Sequence, residues 1–131
     1  MQEDIGKLVA RLSVGGLLLF HGIHKLLTGI GPIKAMVVAH HLPEILAYGA
    51  YVGEIVGPVL VILGLFSRVG GLLIVVNMIV AIALAGAAML FQLGPQGGYA
   101  LELETFYLLG GLTVALLGAG RIGLNIGGNW N

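Results

Sequence analysis

The chain has 131 residues, of which 58% are hydrophobic and only 9% are charged, and its mean hydropathy is +1.05. A soluble domain carries about 25% charged residues; a chain this apolar cannot cover its own core with polar surface, so residues 1–131 read as a single integral membrane domain. Six basic and six acidic residues without a basic block exclude an electrostatic nucleic-acid binder, and the absence of cysteine excludes thiol relays, thiolate nucleophiles and cysteine-held iron–sulfur clusters within the chain.

The opening residues, MQEDIGKLVARLSVGG, place acids before bases and lead to no clean small-residue cleavage site. The first apolar run therefore reads as an uncleaved membrane helix. A helix needs about 20 mostly apolar residues to cross the hydrocarbon core. The first candidate span covers about 8–27 and stops at TGIGP, residues 28–32. Residues 32–42 are too few to cross, but Ile33, Met36 and Val37 recur at helical spacing, which predicts a short interfacial helix. The second span covers about 43–66 and the third about 69–91, with Ser67 and Arg68 as a tight turn between them. A breaker, GPQGG at 94–98, precedes the fourth span at about 103–117, which Gly118 and Gly120 close. The fold class is thus all-α: an integral membrane four-helix bundle with a short interfacial helix between spans 1 and 2. Lys7, Arg11, Arg68 and Arg121 fall at one end of such a bundle, and Lys25 and Lys34 at the other. The positive-inside bias puts both termini in the cytoplasm.

Ionisable side chains within spans cost about 2.5–3.5 kcal/mol each and are functional candidates by default. Glu54 lies 11 residues past Pro43, about 16 Å from the outer end of its helix. There it must be protonated, paired or turned to a polar cavity. Span one brings His21, His24 and Lys25 to a similar depth; residues four apart, such as His21 and Lys25, share a face. Span four enters from the same side with Glu104. Asn77 is an intramembrane amide in span three, suited to interhelical hydrogen bonding or to ligand contact. Glu54, His21 and Lys25 are the candidate catalytic groups, and His24, Asn77 and Glu104 the candidate cofactor-binding groups; no metal site is assigned. Gly49, Gly53 and Gly57 form a small-residue ridge beside Glu54, for which Gly15, Gly16 and Gly22 of span one offer a matching surface and Gly110 and Gly111 a second. Pro58, just below, should kink its helix and free a carbonyl.

These residues carry a resemblance. Arg11 at the start of the first span, FHGIHKL, the leucine–proline step before span two, the glutamate followed by small residues, the LGLFSR junction and the closing LLGAGRIGLN together resemble the DoxX family of small four-helix bacterial membrane proteins. Asn125 stands where an aspartate is common in that family. The resemblance implies a bacterial inner-membrane location, a role for the glutamate at Glu54 and the lysine at Lys25, and association with redox enzymes, one relative being a subunit of a thiosulfate:quinone oxidoreductase. His21 and His24 lie outside the general family pattern.

Three function classes stay open. A quinone-interacting oxidoreductase subunit needs an apolar slot and proton carriers, which histidine and a buried glutamate supply, with a redox partner protein as electron source. A haem variant would pair His21 or His24 with His40 or His41, non-covalently because there is no CxxCH. A small-molecule binder or transporter would need a homo-oligomer to enclose a path. In a structural or assembly subunit the polar groups would only hold helices together, which the glycine ridge fits as well as it fits catalysis.

Overall fold

Long apolar runs, interrupted where glycine or proline changes the backbone, fold into five helices. The computed structural model describes residues 1–131 and contains no β-strand. Helix α1 is Gln2–Thr28, α2 Gly31–Ala39, α3 Glu44–Leu63, α4 Ser67–Met89 and α5 Glu102–Leu117. α1, α3 and α4 are long and apolar enough to cross a membrane. α5 has 16 residues, about 24 Å at 1.5 Å per residue, and so falls short of an ~30 Å hydrocarbon core.

Residues of all four long helices meet in one core: Val14 and Leu18 of α1, Val61 of α3, Ile74 and Met78 of α4, and Tyr107 and Val114 of α5. The outside is apolar instead of polar, with Phe20, Leu27, Phe106 and Leu116 all exposed. The interior holds Arg11, Glu54 and Ser67. An exterior this apolar suits lipid as the surrounding solvent.

The segment expected as an interfacial helix does form α2, started by Pro32 in its first turn and ending at Ala39, short of residue 42. It is not isolated. Val37 is buried with Ile30 and Ala47, and Ile33, Tyr51 and Leu84 pack around them, so α2 covers the start of α3 and the end of α4.

The junction between the second and third spans differs from the sequence expectation. Gly64 adopts φ 71, which ends α3 at Leu63 instead of near Phe66. The amide of Phe66 donates to the Ile126 carbonyl at 2.8 Å, and Ser67 and Arg68 already belong to α4.

The end of the molecule that holds the termini is tied together by two arginines. Arg11, 1% exposed, faces no carboxylate. Its Nε donates to Val61 O at 2.8 Å, Nη2 to Ile62 O at 3.1 Å, and Nη1 to Ala119 O at 2.9 Å and to Ile122 O. Arg68 Nη1 donates to Ala115 O at 2.9 Å and Leu116 O at 2.7 Å. The two guanidiniums thus cap the C-terminal carbonyls of α3 and α5, where the helix dipole is negative.

Candidate functional site

α3 is built around Glu54. Pro58 lacks an N–H, and its ring crowds the carbonyl four residues back, which is that of Glu54. The helix is not broken there. A π-turn over Val52–Val56 precedes Pro58 and carries the helix through it. Such turns widen the helix locally and are frequent at functional sites.

Glycines then set which neighbour each face meets. A Cβ at Gly22 of α1 would run into the Glu54 carbonyl, so α1 crosses α3 backbone to backbone at this residue. Gly15 packs on the Pro58 carbonyl one crossing further along. The α3 ridge turns the other way. Gly53 lies against Asn77 of α4, Gly57 lies against Gly70, and Gly49 faces open space. Gly111 of α5 meets Gly71 of α4. The glycines of α1 and α3 are therefore not matching halves of one seam: those of α1 press on α3, and Gly53 and Gly57 of α3 press on α4.

Between these helices lies a cavity of about 660 Å³, lined mainly by hydrophobic side chains, with Ile33, Met36 and Val37 of α2 closing one end. Lys34 fastens that end to α3. Its Nζ is 3.7 Å from Glu44 and 4.9 Å from the centre of the Tyr48 ring. The Tyr48 hydroxyl, and after it the Glu44 carboxylate, hold Lys34 above the ordinary lysine range. Val52, Val76, Val80 and Leu103 line the cavity and are also exposed, so it opens sideways through the apolar outer surface.

One wall carries an ion pair. Lys25 Nζ donates to Glu54 Oε2; the lysine side chain is 27% exposed and the carboxylate 6%. Neither charge is tolerable alone in this setting, and each offsets the other's loss of hydration. An ammonium has three N–H donors. Glu54 takes one; the others have no acceptor within the chain, and Lys25 lines the cavity. The Tyr51 hydroxyl donates to the Lys25 carbonyl at 3.3 Å, which steadies this end of α1.

His21, Asn77 and Glu104 line the same cavity as the ion pair. His24 does not. Both histidines are exposed, but only His21 also borders the cavity; the His24 carbonyl accepts the Thr28 hydroxyl at 2.9 Å. The reason is angular: at 100° per residue His24 and Lys25 diverge by a quarter turn, while His21 and Lys25 stay together. Of the four histidines only His21 reaches the cavity. His40, just past the end of α2, donates from Nδ1 to the Met36 carbonyl of that helix at 2.8 Å, and His41 follows with φ 59. No group of three or more His, Asp or Glu side chains is placed to hold a metal ion.

One residue of the cavity wall was invisible to sequence reasoning. Tyr107 of α5 is buried, lines the cavity, and stands edge-on to the His21 ring with centroids 5.9 Å apart and planes at 82°. A tyrosine near a helix end reads as a membrane-interface anchor. The available signal was its position three residues past Glu104, on the same face.

No curated protein and no solved structure matches the chain. A family model does match: it is described as DoxX and covers residues 6–96, from α1 through α4, with Lys25 and Glu54 inside the match and Glu104 and Tyr107 beyond it. That match extends over well more than half of the sequence, and the chain accordingly belongs to the DoxX family.

Proposed function

We propose that this membrane protein binds a quinone in the cavity and serves as the quinone-interacting subunit of an oxidoreductase. The Lys25–Glu54 pair in the wall of a laterally open apolar cavity is the observation that carries this reading. A quinone head has two carbonyl acceptors and no donor, on an apolar tail that lives in lipid. The cavity has the complementary features: an ammonium with free N–H groups, an apolar remainder and an opening toward acyl chains. Reduction of a quinone takes up two electrons and two protons; the electrons come from a partner protein. Lys25 orients a carbonyl oxygen. Glu54 holds the lysine in place and, with His21, accepts and passes protons. Closure of the cavity end by α2 keeps water from the pair and strengthens it.

In this reading α5 completes a four-helix bundle in a bacterial inner membrane, and α2 lies in the interface. Lys7, Arg11, Arg68 and Arg121 mark the cytoplasmic end, with both termini. Use of the glycine ridge as a docking surface for another subunit fits less well, because Gly53 and Gly57 already pack on α4 inside the chain.

The test is extraction directly into polymer nanodiscs, with quinone quantified per protein against the surrounding lipid. Quinone enriched several-fold over bulk membrane in the wild type, and reduced to the bulk ratio in Lys25→Met, supports the assignment. A wild-type ratio equal to that of the membrane refutes it.

A further inference from the structure

We propose that Tyr107 is the specificity-determining residue of the cavity, its hydroxyl donating a hydrogen bond to a carbonyl oxygen of the ligand; this rests on the quinone reading above. The residue is 7% exposed and belongs to the central core with Leu18 and Met78. Packing alone asks only for a ring at this position, and phenylalanine fills the same space. The hydroxyl needs a separate reason. Buried tyrosine hydroxyls find partners as a rule. Tyr51 donates to the Lys25 carbonyl and Tyr99 to the Leu90 carbonyl at 2.6 Å. Tyr107 has no hydrogen-bond partner of its own in the chain, yet its oxygen is not sealed in protein either: the one enclosed side-chain polar atom without a partner is Ser67 Oγ. Tyr107 lines the cavity, and in this proposal its unpartnered donor turns toward it.

Inside a membrane this arrangement is costly unless something accepts the proton, because the hydrocarbon offers no water. The edge contact with His21 fixes the direction of the ring. Tyr107 approaches the cavity from α5, and Lys25 and Glu54 approach it from α1 and α3. Donors therefore come from two walls, which suits a ligand with two separate acceptors and gives poor grip on an apolar ring. A site built to hydrogen-bond a substrate group discriminates strongly against analogues lacking it, since its own polar groups are then left bare.

The experiment compares decylubiquinone with decylbenzene, which keeps the tail and ring but has no carbonyl, by displacement of radiolabelled decylubiquinone from protein in nanodiscs. In Tyr107→Phe, decylubiquinone should bind about tenfold more weakly, with decylbenzene unchanged. Tyr99→Phe, outside the cavity, should alter neither. A Tyr107→Phe protein that binds decylubiquinone as the wild type does, or that loses both ligands equally, overturns the assignment. A second readout needs no variant: both infrared carbonyl stretches of decylubiquinone bound to the wild type should shift down, and an unshifted second carbonyl also overturns it. Absence of saturable decylubiquinone binding to the wild type is a different failure, since it removes the quinone reading itself.

Discussion

Glu54→Leu and Lys25→Met, separately and together, distinguish a pair kept for chemistry from one kept for stability. Removing one member of a buried ion pair leaves the other charge stranded, at about 3–5 kcal/mol. The two halves are not equivalent here. Lys25 is 27% exposed on a long flexible stem, so after Glu54→Leu it relaxes toward the headgroups and the loss sits at the low end, about 3 kcal/mol. Glu54 is 6% exposed and cannot leave. After Lys25→Met the stranded carboxylate has no such escape, and the loss sits at the high end, about 5 kcal/mol. The double variant strands nothing and fills the wall with apolar side chains. It should lie within about 1 kcal/mol of the wild type or above it, giving a coupling energy of several kcal/mol where independent sites couple by less than about 0.5. Stability is read from the unfolding midpoint in mixed detergent, followed by helical circular dichroism. The double variant should also have lost the quinone enrichment. Additive losses in the double variant would refute the coupling, and a stable double variant that still concentrates quinone would refute the functional role of the pair.

Gly22→Val drives a methyl-bearing Cβ into the Glu54 carbonyl, which is backbone and cannot rotate away. It should lower stability by about 1–3 kcal/mol and displace Glu54 from Lys25, whereas Gly16→Ala, with open space at its Cβ, should leave both stability and quinone content unchanged. Arg11→Met strips hydrogen bonds from the Val61, Ile62, Ala119 and Ile122 carbonyls. The expected loss is at least about 3 kcal/mol, with faster deuterium uptake over residues 119–126; unchanged uptake there would show that the guanidinium does not hold the C-terminal segment.

Depth was the part of the site open to calculation. Counting from Pro43 and from Leu8 put Glu54, His21 and Lys25 in one band of depth, and the structure joins the first and last in an ion pair with His21 in the same cavity. Direction was harder. His24 shares that height but points out of the cavity, and the ridge of Gly53 and Gly57 faces α4 instead of α1. Arg11 looked like a charge at the membrane surface and is instead a buried cap on carbonyls 50 to 111 residues away in the chain. Such partners leave no local pattern, because a carbonyl accepts from any donor whatever the residue type.

The sequence by itself determined that this is an apolar, helical chain made for a bilayer, roughly where its helices break, and how far along its helix each ionisable group lies. Each of these follows from composition and from a rise of about 1.5 Å per residue, which turns position in the chain into height. Only the tertiary structure decided which way each helix is turned. Three π-turns, at Leu12–Gly16, Val52–Val56 and Ile82–Gly86, interrupt α1, α3 and α4. Each extra residue in a turn rotates everything beyond it by about 100°, so a regular wheel loses the angle while keeping the height. The angle is fixed instead by close contacts between distant segments, Gly22 on the Glu54 carbonyl and Gly53 on Asn77, and these close the cavity around Lys25, Glu54 and Tyr107.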